Sequence, residues 1–201
     1  MIEDFLRAPR GAGELIADAV RVMAVVGVGI AAIWWSPTDA GILALALPAV
    51  IAPRFLAVRP GFDIAFGATV LIAAWSNVLD LYRTVPGWDL VVHFACTGLV
   101  AAMTLVALGR WRIVAPVGDL PRRAGLVLTP IIALAASAVW EMIEWLGFEF
   151  VSDEIFVTYT DTIGDMAAGG LGGLVAGCVL AYVRVEREPS VRPAPQASAT
   201  G

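Results

Sequence analysis

The residues of this 201-residue chain best suited to chemistry are five carboxylates and one imidazole, arranged as three same-face pairs. Asp89 and His93 are four positions apart, Glu141 and Glu144 three, and Asp161 and Asp165 four, so each pair shares one face of a helix. His93 is the single histidine of the chain. One imidazole with several carboxylates is a suitable ligand set for Mn, Fe or Zn, and an all-oxygen subset suits Mg. On that reading His93, Glu141 and Asp165 are the expected metal ligands. Asp89 and Glu144 are the expected catalytic groups, orienting the imidazole or acting as general base. Asn77, Asp80, Arg83 and Asp161 are expected to support them.

Holding these pairs together requires helices, and composition identifies their solvent. Hydrophobic residues make up 59% of the chain and charged residues 15%, with a mean hydropathy of +0.82, which argues against a water-soluble fold. Apolar runs at 20–36, 40–58, 63–82, 88–109, 125–148 and 161–183 are each long enough to cross a hydrocarbon core of about 30 Å. The expectation is an all-α, polytopic six-helix bundle over 20–184. Residues 1–19 read as a cytoplasmic segment with a short interfacial helix, and 185–201 as a disordered cytoplasmic tail rich in Pro, Ala and Ser. Pro48 and Pro53 predict a short, kinked second span.

Charge sets the orientation. With the N-terminus inside, twelve of the thirteen arginines fall on the inner side and Arg83 alone on the outer, so both termini are expected in the cytoplasm and the protein in the inner membrane. The same sorting leaves a net charge of +4 inside and −9 outside. Several outer acids lie within spans, where an unpaired charge costs roughly 2.5 to 3.5 kcal/mol. His93, Glu141 and Asp165 share one depth, roughly 6 to 9 Å below the outer boundary at the helical rise. If their faces turn inward, the result is an acidic pocket open to the outer surface.

The segments Trp88-Asp89-Leu90-Val91-Val92-His93-Phe94, Trp140-Glu141-Met142-Ile143-Glu144-Trp145 and Thr160-Asp161-Thr162-Ile163-Gly164-Asp165-Met166 resemble the motifs of the uncharacterised YjdF-like inner-membrane family. That family is similar to the wider VanZ-like group, which has an Asp-x-x-x-His-Phe element, a later helix bearing Glu, and a final Asp-containing helix followed by glycines. The resemblance covers the last three spans. It implies a role at the cell envelope and nominates Asp89, His93, Glu141, Glu144, Asp161 and Asp165.

Three functional readings follow. A metal enzyme would direct an activated water against an ester or phosphoester of a lipid-linked or envelope substrate. A proton- or cation-coupled transporter would use the paired carboxylates and His93 as a shared proton store. In a purely structural protein the acids would tie helices together through Arg83 and His93, although these two cations cannot neutralise six or seven carboxylates. Gly169, Gly173 and Gly177 form small-x-x-x-small steps that allow close helix approach, within the bundle or in a homodimer. Cys96 and Cys178 read as buried small hydrophobes at different depths and not as a disulfide. Membrane lipids are the expected surroundings, and the absence of a basic stripe excludes nucleic acid.

Overall fold

In the computed structural model, which describes residues 2–151, 155 and 157–187, the secondary structure is helical, with no strands among the described residues. Six helices are long and apolar enough to cross a membrane: α2 (Ala12–Trp34), α3 (Pro37–Phe55), α4 (Pro60–Val78), α6 (Trp88–Arg110), α7 (Arg122–Phe150) and α8 (Tyr159–Tyr182). Two short helices, α1 (Ile2–Leu6) and α5 (Leu81–Thr84), complete the set, with a 3₁₀ turn at Val117–Asp119. The fold is therefore the all-α, six-span membrane architecture that hydropathy predicts.

Local chemistry sets the boundaries. The Ser36 hydroxyl accepts from the Asp39 N–H at 3.1 Å while the Asp39 carboxylate accepts from the Ser36 N–H at 3.1 Å, and Pro37 opens the first turn. Asp39 is thus used as a cap. α3 continues through both Pro48 and Pro53 to Phe55. Gly87 precedes α6 with φ of 74°, a conformation that favours glycine. Thr158 caps α8 by accepting from the Asp161 N–H at 3.3 Å.

Packing groups the spans into two trios, α2–α3–α4 and α6–α7–α8, with α4 against α6 as the main seam. Within the second trio α8 packs extensively against both α6 and α7. One apolar cluster spans the seam, with Phe66, Val70 and Leu71 from α4 among Ala102, Met103, Leu105 and Val106 from α6. Arg187 Nη1 lies 3.5 Å from Glu14 Oε1, so the start and the described end of the chain meet at one end of the bundle, here termed the terminal end.

Three expectations need correction. α2 reaches back to Ala12 because its charged turns are neutralised: Glu14 pairs with Arg7 at 2.6 Å, and Arg21 with Asp18 at 3.0 Å. Residues 185–187, expected to begin the disordered tail, instead lie against the α3–α4 turn. The Arg59 N–H donates to the Val185 carbonyl at 2.7 Å, the Arg187 N–H to the Ala57 carbonyl at 3.0 Å, and Val185 is buried in the core cluster. Cys178 is exposed on its helix and Cys96 half-buried. The rest of the expected tail, and the outer acids Asp153 and Glu154, lie outside the described residues.

Candidate functional site: a histidine–carboxylate centre

Three stripes of side chains build the site. On α7 the buried residues Gly125, Thr129, Ala133, Ser137 and Glu141 recur every fourth position, forming one inward face. Asp165, Gly169, Gly173 and Gly177 do the same on α8. On α6 the matching face carries Asp89 and His93. The α8 glycines let the backbones approach: a Cβ on Gly173 would strike the Ala133 side chain, and one on Gly177 would lie 2.8 Å from the Gly125 carbonyl. On the other side, a Cβ at Gly172 would collide with the Phe94 carbonyl, and one at Gly98 would lie 2.6 Å from the Gly172 carbonyl. α8 is thereby clamped between α6 and α7, which brings their polar ends together.

Within that convergence His93, Glu141 and Asp165 are 7%, 8% and 2% exposed, while Asp89 and Glu144 are half-buried. His93 Nε2 lies 3.4 Å from Asp89 Oδ1 and 4.0 Å from Asp165 Oδ2. Two groups of ligand-type atoms each fit within 4.8 Å: Asp89, His93 and Asp165, and His93, Glu141 and Glu144. His93 belongs to both. Glu141 Oε1 is buried with no hydrogen-bond partner among the described residues. Among the described residues, His93 is the one basic group seen in ion-pair contact with Asp89 and Asp165. A crevice of about 330 Å³ opens beside Glu141, walled by Met142, Trp145, Tyr159 and Thr162, and so joins the carboxylate to an aromatic flank of α7 and α8.

Not every nominated residue joins. α4 ends at Val78, and Asp80 adopts a left-handed conformation with φ of 56° that turns the chain into α5. Asn77, Asp80 and Arg83 are consequently exposed, with Asp80 Oδ1 3.9 Å from Arg83 Nε, and none of them enters either ligand group. Asp161, one turn before Asp165, is half-buried and also outside both groups.

Other residues near the site escaped sequence reasoning. The Tyr82 hydroxyl donates to the Ala73 carbonyl at 2.9 Å, and burial, reinforced by the Asp89 carboxylate, pushes the phenol's pKa up, so it remains a donor. Trp88 Nε1 donates to the buried Ser76 Oγ at 2.9 Å, which ties the start of α6 to α4 one residue before Asp89. The buried Ser137, one turn from Glu141, has a hydroxyl without a partner and sits against Gly169. The every-fourth-residue pattern containing Ser137 was present in the sequence and would have found it.

The geometry thus gives a membrane-spanning helical protein with a buried histidine and carboxylates able to hold a cation. No curated protein and no solved structure matches the chain. A family model described as "Predicted membrane protein (DUF2238)" matches residues 14–186, nearly the whole six-helix unit, and the chain belongs to that family.

Proposed function

We propose that this protein is a divalent-metal-binding membrane enzyme, with the centre around His93 facing the cell envelope and both termini in the cytoplasm. The observation that carries the reading is Glu141 Oε1, a buried carboxylate oxygen with no hydrogen-bond partner, grouped with His93 and Glu144. A buried charged oxygen without a donor is costly, and a cation offsets that cost. His93 and Glu141 are the proposed shared ligands, completed by Glu144 or Asp165. Asp89 Oδ1, 3.4 Å from His93 Nε2, would hold the proton on that nitrogen and leave Nδ1 with the lone pair, which is the way a carboxylate fixes the tautomer of a ligand histidine.

A bound divalent ion would supply Lewis acidity and an activated water. The half-buried carboxylates Asp89 and Glu144 then stand as general bases for the proton released. The crevice beside Glu141, with Trp145 and Tyr159, supports an amphipathic, lipid-linked ester or phosphoester as substrate, because it offers an apolar and aromatic route to a charged centre. The YjdF-like and VanZ-like resemblance supports the envelope assignment.

Coupled transport is the second reading, and it draws on Ser137 and Thr129, buried hydroxyls without partners that continue the Glu141 stripe toward the terminal end. Ala133, fully buried against Gly173, interrupts that stripe, which favours a closed site over a conduit. Elemental analysis of the purified protein should find roughly one divalent ion per chain, lost in a His93→Ala, Glu141→Ala variant. A metal-free wild type whose melting temperature no divalent cation raises would overturn the proposal. Uptake into reconstituted vesicles that depends on an ion gradient would move the assignment to transport.

A further inference from the structure

The histidine centre has two sides, and they do not merge. Glu141 and Glu144, both from α7, group with His93, whereas Asp89 from α6 and Asp165 from α8 group with His93 separately. Each group fits within 4.8 Å, and no group among the described residues takes acids from both sides. The ligand atoms of a single ion lie within about twice a bond of 2.0 to 2.3 Å of one another. As the side chains stand, an ion on His93 and Glu141 is therefore completed by Glu144, and the aspartates are left over.

The aspartate side is short of donors in its own right. Asp165 is 2% exposed, the least exposed acid among the described residues. Its side chain accepts no hydrogen bond among them, and its ion-pair contact there is His93 Nε2 at 4.0 Å, beyond hydrogen-bond reach. The same nitrogen lies nearer to Asp89 Oδ1, at 3.4 Å, so one imidazole proton faces two aspartates. Asp161, half-buried one turn before Asp165, is close enough to Asp89 to repel it. Charge points the same way. A single divalent ion offsets two of the four grouped carboxylates, and a second offsets the other two, in a span where uncompensated charge is costly.

We infer that the centre takes two divalent cations, the second on the aspartate side between Asp89 and Asp165, with oxygen ligands only. This rests on the metal reading above, in which the first ion uses the imidazole lone pair. With Nε2 protonated toward Asp89, the imidazole has no second lone pair to give, and the aspartate side offers carboxylate oxygens and water. Such a set suits Mg, Mn or Ca and lacks the nitrogen that favours Zn or Fe. The second ion is accordingly the weaker one, lost on purification and restored by loading.

Titration of the intact protein with Mn(II) in detergent, followed by electron paramagnetic resonance, tests this. Wild type should reach two bound ions per chain, and its spectrum should broaden at the second step because neighbouring Mn(II) ions couple magnetically. Excess Mg(II) should displace the second ion and return the spectrum of one isolated, bound Mn(II). Asp165→Asn should weaken the second step by roughly 100-fold or more and leave the first within about tenfold, and Glu141→Gln should do the reverse. The wild-type measurements decide the matter even where a variant fails to fold. Saturation at one ion, or two ions without coupling, overturns the inference and leaves the metal reading standing, whereas no bound ion overturns both. Displacement of both ions together by Mg(II), or a coupled pair retained in Asp165→Asn, would overturn the aspartate-side assignment.

Discussion

Asp63 and Asp165 are almost equally buried, at 5% and 2% exposure, and the bundle treats them in opposite ways. Asp63, at the terminal end, accepts from Arg21 Nη2 at 2.6 and 2.8 Å, and Arg21 also reaches Asp18, which Arg54 grips through both oxygens at 2.7 and 2.8 Å. Helices α2, α3 and α4 are thereby laced together by charges that cancel. Asp165, at the far end, has a histidine nitrogen 4.0 Å away and shares that imidazole with Asp89, while Glu141 Oε1 has no hydrogen-bond partner among the described residues. Burial alone therefore does not mark a functional acid. The distinguishing feature is a local shortage of cations, which protons, water or a bound ion must make good.

Four experiments would break or sharpen that contrast, and the largest effect should come from the paired end. Arg21→Ala leaves Asp63 buried and unpaired, so it should lower unfolding stability by about 3 to 5 kcal/mol in detergent. Arg21→Met combined with Asp63→Leu should recover most of that loss. An undiminished melting temperature in Arg21→Ala would show that the network at the terminal end does not hold the fold.

At the far end the order reverses. Glu141→Gln removes a buried charge whose Oε1 has no hydrogen-bond partner among the described residues, so without metal it should be neutral or mildly stabilising, while divalent-ion affinity falls by roughly 100-fold or more. Calorimetric titration beside thermal melts reads both quantities. A large loss of stability with no change in ion affinity would make Glu141 structural. In wild type, ion at about 100 times its dissociation constant should add about 2.7 kcal/mol of stability that a chelator removes.

Smaller effects test the surroundings. Asp89→Asn keeps the shape beside His93 and removes the charge that orients it, and is expected to weaken ion affinity by about 10- to 100-fold with little change in melting. Arg83→Gln should leave ion binding untouched, because Arg83 is exposed and His93 is the basic group seen in ion-pair contact with Asp89 and Asp165 among the described residues. A strong effect of Arg83→Gln on ion binding would bring the outlying acids back into the site.

Much of this contrast was legible in the sequence. The span count followed from hydropathy, and the meeting of His93 with acids of the last three spans followed from helical spacing plus the cost of charge in hydrocarbon, but the expected triad is split: Asp165 groups with His93 and Asp89, and Glu141 with His93 and Glu144. Asp80 and Asn77 were misplaced because a periodic reading extends α4 to residue 82. The left-handed turn at Asp80 ends the helix early, and an aspartate can adopt it where composition gives no warning. The return of residues 185–187 was hidden for a different reason: it depends on backbone groups of Val58 and Arg59 that become available only once α3 and α4 are in place. The Asp18–Arg21–Asp63–Arg54 network was equally invisible, since charge sorting assigns a side and not a partner.

The seam between the two trios has a mechanical consequence. Near the terminal end it is a continuous apolar contact of α4 with α6, whereas next to the histidine centre the side-chain hydrogen bond seen to cross it among the described residues is the indole-to-hydroxyl link from Trp88 to Ser76. Any rocking of one half of the molecule against the other must strain or release that link before it strains the greasy part, since apolar faces slide more readily than a directional bond. Trp88 directly precedes Asp89 in the chain. A lateral push from the surrounding bilayer, or from a neighbour leaning on the first three spans, would thus reach the imidazole through one rigid indole and register as a change in its carboxylate's position.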